Sequence, residues 1–274
     1  MRIVCNEAGR KAAVRAGAQK LPFEQARKFL RISHTSLTNI ANYYVDKAIA
    51  KDDLSQTTAI CVDETSFKRG QSYVTVVTDA KARRVIDVED GRGAAQVVQF
   101  SQVLEQKGGD CAKITQTASD MSGAYLSGID ECFPNAVKVV DKFHVSKLMR
   151  DAMDKVCRKE QGKLSKQLKS GKKLLMIPEG RMSCEQKEKM TALCKQYPDT
   201  GRAFRMVQAL DSVYSCSTAQ EAEGAIDRSI DWLKRSRLEP MKAVANTLST
   251  HRQNILHYFV QRLTNAVAEG INSL

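Results

Sequence analysis

Three short strand-like runs in this chain each lead to an aspartate: residues 58–63, 113–120 and 136–141. Successive strand residues point to opposite faces, so in the first run Ile60 and Val62 share one face and Cys61 and Asp63 the other. Between the first run and the second lie two β-branched stretches, 71–79 and 84–89. Turn signals at Lys68-Arg69-Gly70 and Asp90-Gly-Arg-Gly93 separate them. This predicts a three-stranded antiparallel meander followed by alternating helix and strand. Helices are expected over 94–106, stopped by Gly108-Gly109, and over 121–132, ended by Pro134. That order predicts an α/β, ribonuclease-H-like fold: a mixed five-stranded sheet with helices, the first, fourth and fifth strands running parallel at its centre. Asp63, Asp120 and Asp141 then share one edge of the sheet. Asp79 closes a strand of opposite direction and falls at the other edge. Taken singly, an aspartate at a strand end also serves simply to start a turn.

Ahead of the sheet, residues 1–20 are small and basic without an apolar face, which suits a frayed helix or a flexible arm. Pro22 fits the first turn of a helix, in which Phe23, Ala26, Phe29 and Leu30 recur at helical spacing. After a break at Arg31-Ile32, Ser33 can cap a second helix carrying Leu37, Ile40, Ala41, Tyr44, Val45 and Ala48 on one side. Two helices joined so closely are either a helix-turn-helix or an ordinary helical hairpin. In the first case His34, Thr35, Ser36, Thr38 and Asn39 stand where a recognition helix meets DNA. The polar stretch 51–56 suits a linker.

Charge separates the rest of the chain from an ordinary soluble protein. The formal net charge is +12, and residues 142–205 alone hold 17 Lys or Arg against 7 Asp or Glu. Such a balance points to a polyanionic partner, most simply nucleic acid. Helical periods recur over 143–156, 185–197, 204–210 and 219–233. Between the first two, Lys163, Lys166, Lys169, Lys172 and Lys173 form a basic stretch that is either a solvated face or a set of phosphate contacts. The eight cysteines are scattered without a CxxC pair, which argues against a zinc ribbon and for reduced thiols. No apolar run is long enough to span a membrane and no signal peptide is evident. A soluble, cytoplasmic protein follows. The expected division is a helix-turn-helix-like region over 1–50, a catalytic core over 57–160, a basic helical insertion over 161–240 and a C-terminal helix over 241–274 that completes the core.

Carboxylates converging from two adjacent parallel strands and a packed helix are what two-ion phosphodiester chemistry requires, and Asp63, Asp120 and Glu269 could form such a set. Val62-Asp-Glu64, Ser119-Asp-Met-Ser-Gly-Ala-Tyr125, Pro134-Asn-Ala136, Asp141-Lys-Phe-His144 and Thr264-Asn-Ala-Val-Ala-Glu-Gly-Ile-Asn-Ser273, in that order, resemble bacterial insertion-sequence transposases with a DDE catalytic domain, the ISL-three group above all. The resemblance runs from about residue 24 to the C-terminus. It implies that Asp63, Asp120 and Glu269 are the catalytic carboxylates, holding two Mg2+ (or Mn2+) ions. The implied reaction is hydrolysis at the transposon end, then attack of the freed 3′ hydroxyl on target DNA. It also implies double-stranded DNA as partner, at transposon ends and target, self-association into a homo-oligomer, and a place at the bacterial nucleoid. Asp141 matches a family motif as an auxiliary ligand. His144 matches it as a phosphate contact, or serves as a structural histidine. The cysteine-rich start of such transposases is missing and the chain stops five residues after Glu269. Both ends therefore look clipped, which leaves open a truncated, inactive DNA-binding remnant or inhibitor.

Overall fold

The computed structural model describes residues 22–66, 73–161, 173–261 and 263. The chain divides into two units, Met1–Leu54 and Ser55–Leu274.

In the first unit, α1 (Phe23–Leu30) ends at Arg31, whose left-handed φ of 55° turns the chain. Ser33 then caps α2 (His34–Ile49), its Oγ accepting from the Ser36 amide at 3.0 Å. Ala26, Leu30, Leu37 and Ile40 make the shared core, with Ile32 and Tyr44 against it. The apolar stripes read from the sequence are wider than this contact. Phe29 and Val45 stay exposed (74% and 54%), as do Phe23 and Ala48. Two helices crossing once have room between them for only one or two side chains per turn.

The second unit is organised on β1 (Ala59–Ser66). Its residues 59–62 are at most 1% exposed, the signature of a strand covered on both faces. β2 (Tyr73–Asp79) and β3 (Arg84–Asp90) pair antiparallel on one side of it, and β4 (Gln116–Ser119) and β5 (Val137–Val140) parallel on the other. The order is β3-β2-β1-β4-β5. A mixed sheet so ordered is compatible with the ribonuclease-H-like arrangement. The outer strand β3 places Asp87 and Glu89 at the open edge, where charge discourages further pairing. β4 is shorter than the run over 113–120 that predicts it. Residues 111–113 coil into a 3-10 turn capped by the Asp110 carboxylate, so pairing begins only at Gln116.

Alternation sorts the two faces. On the side of Ile60 and Val62 lie α3 (Ala94–Gln106) and α4 (Gly123–Cys132). The Phe100 and Phe133 rings meet there at 6.1 Å, and Tyr125 hydrogen-bonds Thr75 of β2 at 2.8 Å. On the other side, Ala59, Cys61, Ala118, Val139 and Leu263 form one apolar cluster.

The remaining helices are α5 (Lys142–Gln161), α6 (Cys184–Gln196), α7 (Pro198–Val213), α8 (Ala219–Lys234), α9 (Glu239–Thr250) and α10 (Arg252–Gln261). They share one apolar core running from Val140 to Phe259. Their starts are marked by capping boxes at Ser183/Gln186 and Thr218/Glu221 and by Pro198 at the first turn of α7. Glu160 of α5 supplies the missing acceptors at that turn, taking the amides of Asp199 and Thr200 at 2.9 and 2.7 Å. The apolar residues Leu248, Ile255 and Phe259 belong to two helices, broken at His251, and not to one. α10 returns to the sheet, where His257 Nδ1 donates to the Lys138 carbonyl of β5 at 2.8 Å.

Candidate active site

The register brings the aspartates together. Cys61 pairs with Ala118, and Ser119 with Val140. Continuing the same offsets puts Asp63 beside Asp120 and Asp120 beside Asp141, one row across three parallel strands. The Asp141 amide donates to the Ser119 carbonyl at 3.1 Å, so the ladder does reach this row. Neighbouring strands lie about 4.8 Å apart. The row is on the face of Cys61, Ala118 and Val139, the face that Leu263 covers. Asp79 pairs opposite Ile60, near the start of β1. There it accepts from Thr57 Oγ1 and from the amides of Lys81 and Ala82 (2.8–2.9 Å), a turn residue remote from the row.

β1 does not stop at Asp63 as its run suggests but continues to Ser66, because β2 pairs with it that far, whereas Asp120 and Asp141 directly follow the last residues of β4 and β5. Asp63, buried, accepts from the Glu64 amide at 2.9 Å; Asp120, half-buried, accepts from the Ser122 amide at 2.9 Å. Asp141 is buried and caps α5, its Oδ1 meeting the Phe143 amide at 3.3 Å while its carbonyl takes the amide of His144. That cap aims the first turn of α5 back at β1. His144 Nε2 thereby reaches 3.5 Å from Asp63 Oδ1. Burial opposes a charged imidazole there. The hydrogen bond His144 donates to Asp63 and the charges of Asp63, Asp141 and Asp120 outweigh it and raise the His144 pKa above its ordinary value. Burial pushes the Cys61 thiol up to about 12, with Asp141 and Asp63 adding to the rise, so it stays protonated beside the carboxylates.

Two neighbours of the row carry no local sequence signal. His251, at the break between α9 and α10, comes near Asp120. Burial depresses its pKa and the Asp120 charge opposes the depression. Tyr214, at the end of α7, has its hydroxyl pushed up by burial and by the charge of Asp141. Only the interruption of helical periodicity at 250–252 hints at the first.

The other sequence candidates divide. In α2, His34, Thr35 and Asn39 are exposed. Ser36 and Thr38 turn towards their own helix, Ser36 Oγ to Ser33 Oγ at 2.8 Å and Thr38 Oγ1 to the His34 carbonyl at 3.0 Å. Lys173 is exposed. Lys163, Lys166, Lys169, Lys172 and Glu269 lie outside the described residues. No group of three or more His, Cys, Asp or Glu side chains stands in metal-ligand geometry among the described residues.

A family model described as a transposase, the DDE ISL3 type, matches residues 60–274. The chain belongs to this transposase family. Two relatives place it among insertion-sequence transposases. It is 24% identical over 261 residues to the transposase for insertion sequence element IS1557 of Mycobacterium tuberculosis, covering 85% of this chain and 58% of that protein. It is 23% identical over 254 residues to the transposase for insertion sequence element IS1001 of Bordetella parapertussis, covering 90% of this chain and 62% of that protein. The chain thus spans about three-fifths of the length of these relatives. Among its described residues, no helix of this transposase is long and apolar enough to cross a membrane.

Proposed function

We propose that this transposase cuts DNA at the ends of its insertion sequence and joins the freed 3′ hydroxyl to target DNA, using Asp63, Asp120 and Glu269. The observation that carries the reading is the row of aspartates across adjacent parallel strands, Asp63 within β1 and Asp120 and Asp141 just past β4 and β5, with His144 against the first. The donor set suits a hard cation. Magnesium takes oxygen ligands, often one or two carboxylates completed by water and substrate phosphate. The nearby soft donor, Cys61, is held protonated. Asp63 and Asp120 would hold the ions, and Glu269 would complete the set. Glu269 is six residues beyond Leu263, which packs on the face of the row. Six residues span up to about 20 Å extended and about 9 Å as helix, enough to bring its carboxylate to the row. When bound, two divalent ions neutralise charge on the attacking and leaving oxygens of an in-line displacement.

The chain's own residues do the positioning. The Glu64 and Ser122 amides each engage one oxygen of Asp63 and Asp120 and fix both carboxylates. Asp141 holds the first turn of α5, and through it His144, which orients Asp63 and can offer a proton-bearing nitrogen to a non-bridging phosphate oxygen. The basic stretch with Lys163, Lys166, Lys169, Lys172 and Lys173 would track the DNA backbone. α1 and α2 would serve as a DNA-binding region, with His34, Thr35 and Asn39 as the outward side chains and Ser36 and Thr38 beside them. The proposed division is a DNA-binding region over 1–50, a core over 57–160 completed by 241–274, and a basic helical part over 161–240. A cytoplasmic, nucleoid-associated homo-oligomer suits an enzyme that must hold two DNA ends.

The test is cleavage and strand transfer on a labelled duplex carrying the element's end, with magnesium or EDTA. Asp63→Asn, Asp120→Asn and Glu269→Gln should each lower magnesium-dependent cutting by at least about a hundredfold, a loss of 2.7 kcal/mol or more in transition-state stabilisation, while DNA retention persists. Cutting that survives Asp120→Asn would sink the assignment.

A further inference from the structure

Behind the aspartate row, between the first turns of α5, the end of α7, the turn at 178–181 and Tyr258 of α10, is a cleft of about 800 Å³. Its size lies within the roughly 300–1,000 Å³ of sites that take one small molecule, and a base-paired duplex could not enter. Its wall carries an ion pair: Asp211 accepts from Arg150 at 2.8 Å and from Ser146 at 2.9 Å, so those charges satisfy each other. One oxygen of Asp141, Oδ1, meets the Phe143 amide at the start of α5 at 3.3 Å. Two cations remain, Lys142 and Arg181. Neither has an ion-pair partner among the described residues, and the Lys142 ammonium lies 5.3 Å from the Tyr214 ring centroid. Gln208 accepts the Glu179 amide through Oε1, leaving its NH2 group to donate. Phe143, 48% exposed, and Tyr258 add aromatic surface.

We propose that this cleft is a subsite for one unpaired nucleotide of the DNA strand adjacent to the cut. Lys142 and Arg181 take its phosphate, Phe143 and Tyr258 its base, and the Gln208 amide a polar edge. Cations with stacking rings, and few base-reading groups, are how unpaired nucleic acid is held without strict sequence choice. Asp141 and Lys142 are consecutive, so the cleft opens directly beside the aspartate row. The inference rests on the reading of the chain as a DNA-cutting enzyme for its ligand, but it is testable without cutting.

The experiment measures fluorescence anisotropy of the full chain in EDTA with three probes of equal length: a matched duplex, a duplex with one unpaired nucleotide, and a single strand. A 2-aminopurine at the unpaired position reports stacking. The expected result is several-fold tighter binding of the duplex with the unpaired nucleotide, with quenched 2-aminopurine. Arg181→Ala and Phe143→Ala should each bring that preference close to parity and leave matched-duplex affinity and the thermal midpoint unchanged. Equal binding of matched and unpaired probes by the wild type would overturn the proposal. So would a preference retained in both variants, or deoxyadenosine monophosphate competing as tightly as the DNA. Surviving cleavage by Asp120→Asn tests the catalytic reading separately.

Discussion

Gly128 and Gly224 both lie inside helices, yet the same change to alanine should act on them with opposite sign. In an exposed helix interior, alanine is more favourable than glycine by about 1 kcal/mol, because glycine loses more backbone freedom on folding. At Gly224 in α8, an added Cβ would meet only Arg228 Nη1, at 3.2 Å. That atom ends a flexible side chain that can swing away, so Gly224→Ala should stabilise by about 0.5–1 kcal/mol. At Gly128 in α4, the Cβ would stand 3.0 Å from Ala94 Cα and Val97 Cβ and 3.1 Å from the Ala94 carbonyl oxygen, all on α3. Ordinary carbon contacts are about 3.5–4.0 Å, so α3 and α4 must separate by several tenths of an ångström. Overpacking of this kind costs about 1–3 kcal/mol, which outweighs the gain in propensity. Gly128→Ala should therefore destabilise by about 0.5–2 kcal/mol. Both helices belong to the unit Ser55–Leu274, so a urea titration followed by helical circular dichroism reads both. Midpoints should move in opposite directions at constant slope. A Gly128→Ala midpoint at or above wild type would refute the close approach of α3 and α4 as the reason for glycine.

Asp141→Asn keeps an acceptor for the cap and should leave stability near wild type, whereas Asp141→Ala should cost about 0.5–2 kcal/mol in urea unfolding; a stable Asn variant with lost cleavage would show that the charge, and not only the cap, is needed. Asp211→Ala strips the acceptor from Arg150 and Ser146 and, both ions being partly exposed, should cost about 1–3 kcal/mol; a double-mutant cycle with Arg150→Ala that shows no coupling would remove this pair as a link between α5 and α7. Tyr125→Phe, losing the buried bond to Thr75, should cost about 1 kcal/mol by thermal unfolding, and an unchanged midpoint would contradict it. The hydrogen bond from Arg252, aided by its charge, holds Asp227 below its ordinary value. This stabilises above the unfolded carboxylate pKa and is lost as pH falls through the depressed one. Arg252→Gln should flatten the acid limb of a stability–pH curve in that window, and an unaltered limb would count against the interaction.

Much of the framework is written locally. The β-branched runs, the Asp90–Gly93 turn, the Ser33 cap and Pro198 act over a few residues, so their elements can be read where they stand. So can the ends of β4 and β5 at Asp120 and Asp141 and the motifs that place the chain among DDE transposases, whereas β1 runs past Asp63 to Ser66. Boundaries were less legible where a neighbour decides them. The run at 113–120 pairs only from Gln116, because Asp110 draws the preceding residues into a turn. The stretch from 239 to 261 breaks at His251, because α10 must turn back onto β5.

The amino-acid sequence by itself determined the order of strands and helices, the parallel sense of β1, β4 and β5 that the order implies, and the residue types at the strand ends. Only the tertiary structure decided that the three aspartates stand in one row, because parallel register is set by packing between strands far apart in the chain. It alone seated His144 against Asp63 and drew His251 towards Asp120, since both depend on how helices dock. It also left Phe29 and Val45 in solvent despite their helical spacing. An apolar period marks what a helix can bury, and burial itself needs a partner surface of matching extent.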